Sequence, residues 1–181
     1  MVKRRLNKAG MMLKMPEKNH IVALLVSNEP GVLARISSMF MKRHFNIDTL
    51  TVSSTTNPDV SRITLSFHGD EGTLEQVTKQ LANFIDVRKV FALDVKDSMV
   101  SDLCLLKVST GSEKDKNKIL DHCKKYHASI VHENSGSVMV QVVEEPSRLD
   151  SFLKGLKGMK ILEIARTGLT ALSTKTEHTD Q

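Results

Sequence analysis

The same order of predicted strands and helices occurs twice along this chain, and this repeat limits the possible folds more than any other feature. In the first half, short β-branched or alternating apolar runs predict strands over residues 20–27, 46–54, 62–67 and 87–95. Between them, apolar residues recur at helical spacing, which predicts two amphipathic helices. The apolar positions of those helices are Val32, Leu33, Ile36, Met39 and Phe40, then Leu74, Val77, Leu81 and Phe84. Thr73 with Gln76 fits a capping box for the second helix.

The second half repeats this βαββαβ order after a polar hinge at residues 96–101. Strands are predicted over residues 103–109, 129–132, 138–143 and 159–165, and Ser112 with Asp115 fits a helix cap. The runs LLVS and LLKVS correspond at an offset of 82 residues, as do the tripeptides that begin at Lys42 and Lys124. We therefore predict an α+β fold of two ferredoxin-like βαββαβ halves in tandem. The predicted boundaries are a basic leader over 1–18, domains over 19–96 and 101–170, and a polar tail over 171–181.

The net charge of +5 comes from one end of the chain. Residues 1–18 hold six basic residues and one acid, whereas the remainder holds 20 basic and 20 acidic residues. A neutral body with only 4% aromatic residues argues against a nucleic-acid groove, which needs clustered positive charge or exposed rings. No apolar run is as long as a membrane-spanning helix, which needs about 20 residues. The two cysteines do not form the pattern of a disulfide framework. We expect a cytoplasmic protein, and the leader leaves open a basic arm that contacts an acidic partner.

Motifs for catalysis are absent from the sequence. There is no G-x-G-x-x-G, P-loop or G-x-S-x-G. Cys123 has His127 one helical turn away, but Cys123 falls on the apolar face of its helix, which favours a core cysteine over a nucleophile. The histidines and cysteines of the second half lack the spacing of a metal site. We expect no catalytic residue and no metal ligand.

One segment fits the binding of a small zwitterion. Asn28-Glu29-Pro30-Gly31 lies where the first strand leads into the first helix, and the first N–H groups of a helix favour an anion. Gly31 allows close approach to the backbone, and Asn28 is also a possible helix cap. Asn46 and Ile47, at the predicted start of the second strand, add an amide and an apolar side chain. The alternative is that Pro30-Gly31 is an ordinary turn.

The residues of this segment also resemble a known family. The run from LLVSNEPGVLARI to SRITL resembles the ACT domain of the small, regulatory subunits of acetolactate synthase, whose hallmark loop is matched by Asn28, Pro30, Gly31 and Leu33. Asn46 in FNIDTLTV, and RLDSFL and EIARTG in the second half, are similar to that family too. The resemblance covers residues 19–173. It departs at His44, where glycine is common, and at Pro30, where serine is common.

The resemblance implies a regulatory function. It implies a catalytic partner subunit that carries thiamine diphosphate, Mg²⁺ and FAD, whereas this chain has no cofactor of its own. By the same resemblance, this chain activates the partner and confers feedback inhibition by valine. It also implies a homodimer through ACT domains, with the effector between them. When the effector site of the family is transferred to this sequence, one side of it is lined by Asn28, Gly31, Val32 and Leu33. The other side is lined by Asn46 and Ile47. Because Gly31 aligns with Glu113 and no asparagine matches Asn46, we expect no second site.

Two other functions remain open on the sequence alone. An ACT-domain transcriptional regulator would use the basic leader on DNA, and a stand-alone enzyme would use the ferredoxin-like scaffold. The sequence does not distinguish among valine, leucine and isoleucine as the effector that the resemblance implies. Independently of the resemblance, two helices cover only one face of such a sheet, so we expect a bare second face that pairs with another copy or a larger partner.

Overall fold

The computed structural model describes residues 18–175. Within that range the chain forms two compact units, the first made of residues 18–98 and 171–175 and the second of residues 99–170. Each unit contains a four-stranded antiparallel sheet and two helices, with a core of its own. The predicted α+β fold of two βαββαβ units is confirmed.

The first unit follows the predicted order of elements. These are β1 (Lys18–Ser27), α1 (Val32–Lys42), β2 (Thr49–Ser54), β3 (Val60–Gly69), α2 (Glu71–Ala82) and β4 (Val87–Leu93), followed by a 3₁₀ turn at Val95–Asp97. The sheet order is β2-β3-β1-β4. β1 pairs with β3 along its whole length, from Lys18 opposite Gly69 to Ser27 opposite Val60, and this register brings the end of β1 beside the β2–β3 turn.

The core of the first unit lies between the helices and one face of the sheet. Alternate residues of β1 and β3 point into it, as the period-two pattern predicted, and meet the apolar stripes of α1 and α2. Its largest members include Leu24, Ile36, Phe40, Ile63, Leu65, Phe67 and Leu81, each no more than 1% exposed.

On the opposite face of this sheet the middle residues of β1 and β3 are also buried, so the expectation of a bare second face is wrong for the first unit. Thr64 and Ser66 point away from the helices, yet they are only 2% and 1% exposed. Part of the cover is the segment 171–175, because the Nη2 of Arg62 on β3 donates to the carbonyl oxygen of Ala171 at 2.9 Å.

The second unit repeats the arrangement. Its elements are β5 (Ser98–Ser109), α3 (Glu113–Lys125), β6 (Ser129–Asn134), β7 (Ser137–Glu144), α4 (Pro146–Gly155) and β8 (Ile161–Ser173), in the sheet order β6-β7-β5-β8. Cys104, Leu106, Ile119, Val140, Leu149 and Phe152 form the centre of its core. The two units divide between Ser98 and Met99, inside the segment 96–101 that was predicted as a polar hinge, but β5 begins at Ser98, five residues before the predicted start of that strand.

The two units have the same geometry where their first helices end. His44 and His127 both follow a helix in the left-handed region, with φ of 57° and 50°. In both units the next residue donates its backbone N–H back into the last turn, Phe45 to Phe40 at 3.1 Å and Ala128 to Cys123 at 2.9 Å. These pairs differ by 83 residues, so the offset of 82 predicted for the helix end is one residue too small.

Candidate effector site

The N-terminus of α1 has no side-chain cap. The capping residue is Gly31, and the first turn contains no acid. Among residues 18–175, no acceptor is hydrogen-bonded to the N–H groups of Leu33 and Ala34. By contrast, Asp70 accepts from the N–H of Thr73 at the start of α2. The free N–H groups at α1 therefore leave a site with a partial positive charge that suits a carboxylate.

Glycine is favoured at position 31 by the backbone conformation. Its φ is +86°, in the region that L-residues rarely adopt. A Cβ there would lie 3.2 Å from Nη1 of Arg35, one helical turn further on. That Gly31 lets a ligand approach the backbone closely stays a prediction.

Arg35 is a neighbour of the site that the sequence reasoning did not identify. Its Nε and Nη2 each lie 2.8 Å from Oδ2 of Asp86, which is in the turn before β4. The ion pair holds the guanidinium beside Gly31, where its N–H groups can donate but its charge is balanced by the Asp86 carboxylate. Arg35 could have been identified from the sequence by its spacing of four residues from Gly31, because this spacing places both residues on one side of the first helical turn.

Asn28 does not cap the helix, so that part of the prediction is wrong. Its Nδ2 donates to the carbonyl oxygen of Pro58 at 2.9 Å, and its Oδ1 accepts from the hydroxyl of Ser61 at 3.0 Å. Its backbone N–H also donates to the carbonyl oxygen of Asp59 at 3.0 Å. Asn28 is thus attached to the β2–β3 turn, one residue beyond the end of β1.

The two apolar residues that follow Gly31 have different surroundings. Val32 is 4% exposed and belongs to the core, so only its backbone is available to a ligand. Leu33 is 39% exposed and presents its side chain at the surface. The side chain of Leu33 can therefore contact an aliphatic ligand, whereas the side chain of Val32 packs in the core beneath α1.

Asn46 and Ile47 lie before β2, not at its start, so the predicted strand boundary is wrong. The chain leaves α1 through the left-handed His44 and joins the sheet only at Thr49. Asn46 Nδ2 donates to Asp48 Oδ1 at 3.2 Å, which leaves the amide oxygen of Asn46 available. Ile47 is half-buried against the core. Across the described range, no hydrogen bond joins Asn46 to the 28–31 loop within one chain.

A cleft of about 500 Å³ lies beside this region, between α1 and α2. Arg35, Met39 and Phe84 are among the residues that line it, but Gly31 and Asn46 are not. The cleft and the helix mouth share Ala34 and Arg35.

The two cysteines that were considered for catalysis or metal binding are buried. Cys123 is 4% exposed and Cys104 is 0% exposed, and burial raises the pKa of both thiols. The prediction that Cys123 is a core cysteine is confirmed. Over residues 18–175 no three metal-binding side chains form a cluster. No helix in that range is long and apolar enough to cross a bilayer.

Comparison with known proteins gives one consistent family. The profile of the AHAS small subunit-like ACT domain matches residues 22–89, and that of the small subunit of acetolactate synthase matches residues 101–175. The probable acetolactate synthase small subunit of Methanothermobacter thermautotrophicus is 37% identical over 162 residues, which cover 90% of this chain and 96% of that protein. The acetolactate synthase small subunit of Bacillus subtilis is 39% identical over 158 residues, covering 87% and 91%.

A solved structure agrees with the sequence matches. The crystal structure of the acetolactate synthase small subunit from Thermotoga maritima superposes with a TM-score of 0.80 at 29% identity, covering 86% of this chain and 97% of that one. Both units of the fold are included in a match of this extent. The chain belongs to the family of acetolactate synthase small subunits.

Proposed function

We propose that this chain is the regulatory subunit of an acetolactate synthase, which activates a catalytic subunit and confers feedback inhibition by valine. Membership of the small-subunit family supports the partnership. The thiamine diphosphate, Mg²⁺ and FAD of the reaction belong to the catalytic partner, and this chain contributes a sensor.

The uncapped N-terminus of α1 is the observation that carries the sensor proposal. The free N–H groups of Leu33 and Ala34, with the guanidinium of Arg35 beside Gly31, suit the carboxylate of a free amino acid. The exposed side chain of Leu33 suits an aliphatic effector. This supports a branched-chain amino acid over a charged or aromatic one.

The other half of the site is proposed to come from a second copy of the chain. Asn46 and Ile47 share no hydrogen bond with the 28–31 loop of their own chain in the described part, and a homodimer through ACT domains brings them opposite that loop. The unused amide oxygen of Asn46 is then a suitable acceptor for the effector's ammonium group. A ligand that bridges two copies favours one arrangement of the dimer, and coupling of about 1–3 kcal/mol is enough for regulation.

Replacement of Gly31 by aspartate tests this site. We expect Gly31→Asp to lose valine binding, because the carboxylate side chain blocks the helix mouth and repels the ligand's carboxylate, while the positive φ adds strain. Titration calorimetry of the full chain with L-valine measures the affinity, and L-leucine and L-isoleucine titrations rank the effectors. A thermal melt verifies that the variant is folded.

Gly111→Asp is the matched control. Gly111 precedes the first helix of the second unit, and a Cβ there has no neighbour within 4 Å. This variant carries the same added charge and should bind valine as the unmodified chain does. Unchanged valine affinity in folded Gly31→Asp would refute the site.

A further inference from the structure

The loop that leads into α1 is attached to a distant turn through one residue. Three hydrogen bonds join Asn28 to the β2–β3 segment: Nδ2 to Pro58 O at 2.9 Å, the backbone N–H to Asp59 O at 3.0 Å, and Oδ1 from Ser61 Oγ at 3.0 Å. The partners lie about thirty residues further along the chain. The position of the loop therefore depends on that turn as well as on β1.

The β2–β3 turn is a firm anchor. Thr55 Oγ1 both donates to the carbonyl oxygen of Asn57 and accepts from its N–H, each at 3.1 Å. Asn57 Oδ1 accepts from Asp59 N at 3.0 Å, and Val60 N donates to Asn57 O at 3.0 Å. These hydrogen bonds restrict the turn to few conformations, so the partners of Asn28 keep a defined position.

Pro58 and Asp59 accept from Asn28 through backbone carbonyl groups, whereas Ser61 bonds to it through a side chain. A substitution of Ser61 can therefore remove its bond. Ser61 is 7% exposed, and its hydroxyl donates to Asn28 Oδ1. Asn28 itself is exposed, so the bond from the buried hydroxyl of Ser61, together with the bond to Pro58, holds its amide in one orientation. The amide of Asn28 keeps one N–H and one lone pair for another contact.

We propose that Ser61 is a positioning residue for the effector site: by orienting Asn28 it fixes the 28–31 loop, and so the uncapped N–H groups of α1, in the geometry that receives the effector. This inference depends on the function proposed above. A loop held in place before binding loses less conformational freedom when the ligand arrives, which favours affinity.

Ser61→Ala tests the proposal in the full-length chain. Loss of one hydrogen bond at this position predicts an L-valine affinity about fivefold weaker, measured by calorimetry. Hydrogen exchange of the Asn28 amide should also become faster, because its bond to Asp59 is no longer supported. Ser61→Thr retains the hydroxyl and should restore most of the affinity. Should Ser61→Ala not fold, Ser61→Cys replaces it, since a thiol is a weaker donor of similar size.

The second unit offers a control of the same chemistry. Ser137 is 6% exposed, and its hydroxyl donates to Oδ1 of Asn134 at 2.9 Å. Ser137→Ala therefore removes an equivalent bond, and we expect it to bind valine as the unmodified chain does. If Ser61→Ala binds valine unchanged, or if Ser137→Ala weakens binding equally, the positioning role is overturned and the proposed function stands. If the unmodified chain does not bind valine, the proposed function fails instead.

Discussion

Single residues show both what sequence reasoning can predict at the effector site and what it cannot. Gly31 was identified because a missing Cβ has a direct physical meaning, and its φ of +86° agrees with that reason. The contacts of Asn28 were not predicted, because their partners at Pro58 and Ser61 are distant in sequence and meet it only through the register of β1 and β3. Local capping propensity was outweighed by a tertiary contact.

His44 illustrates a second limit at this scale. It adopts φ of 57° although it is not glycine, and the same geometry recurs at His127. The left-handed turn is a common way to end a helix, but histidine is not its usual residue. A sequence pattern that looks for glycine therefore misses the turn, and the strand after α1 was predicted three residues too early.

The two cysteines give a prediction at the residue scale. Burial raises the pKa of both thiols, and Cys104 and Cys123 are only 0% and 4% exposed. The thiol forms are therefore favoured and reagents cannot reach them, so we expect neither to react with a thiol-specific reagent at neutral pH in the folded chain. After denaturation both should react, and mass spectrometry counts the labels. Rapid labelling of Cys123 in the native chain would contradict its assignment to the core.

At the scale of the element, periodicity predicted the strands and helices better than capping patterns predicted their ends. Alternation correctly placed β3 with Ile63 and Leu65 inward, because one buried face imposes the period of two. Ser112 does cap α3 as predicted. Thr73 does not begin α2, because Asp70 accepts its N–H at 2.7 Å and starts the helix earlier. A cap depends on only one or two side chains, so the sequence offered more than one candidate capping residue for α2.

The cap of α2 predicts how stability depends on pH. Hydrogen bonds from the side chain and then the backbone of Thr73 hold the pKa of Asp70 below its usual range. A lowered pKa in the folded state means that the charged cap stabilises the fold above about pH 4 and that this is lost as the pH falls below it. We expect Asp70→Ala to lower the free energy of unfolding by about 1 kcal/mol at neutral pH, with a smaller difference from the unmodified chain at about pH 3.

Urea denaturation at several pH values measures this difference. Asp70→Asn is the control, because an amide oxygen can still cap the helix but does not titrate. Its stability relative to Asp70→Ala should therefore change little between about pH 5 and pH 3. A gap between the unmodified chain and Asp70→Ala that is independent of pH would show that the charge of Asp70 has no part in the cap.

At the scale of the whole molecule, the tandem repeat could be predicted because each half carries a complete pattern of strands and helices. The role of residues 171–175 could not, because they follow the last predicted strand and were assigned to a polar tail. Their function depends on Arg62, whose Nη2 donates to Ala171 and whose buried Nε has no hydrogen-bond partner within residues 18–175. The guanidinium is thus held in the first unit by a carbonyl group from the far end of the sequence.

Truncation of the chain tests this attachment. Ending the chain after Thr170 removes the acceptor of Arg62 and the buried Ala171, which is 1% exposed, together with the bond from Thr174 N to Asp97 O at 2.9 Å. The truncation replaces the hydrogen bond from the Arg62 guanidinium to Ala171 O by contact with water, and it removes the buried side chain of Ala171. We expect the first unit to lose about 2 kcal/mol of unfolding free energy, because hydrogen bonds to charged groups contribute about 1.5–3 kcal/mol. A chain that ends after Lys175 is the control, and equal stability of the two truncated chains in urea denaturation would show that Ala171 and Thr174 add nothing to the first unit.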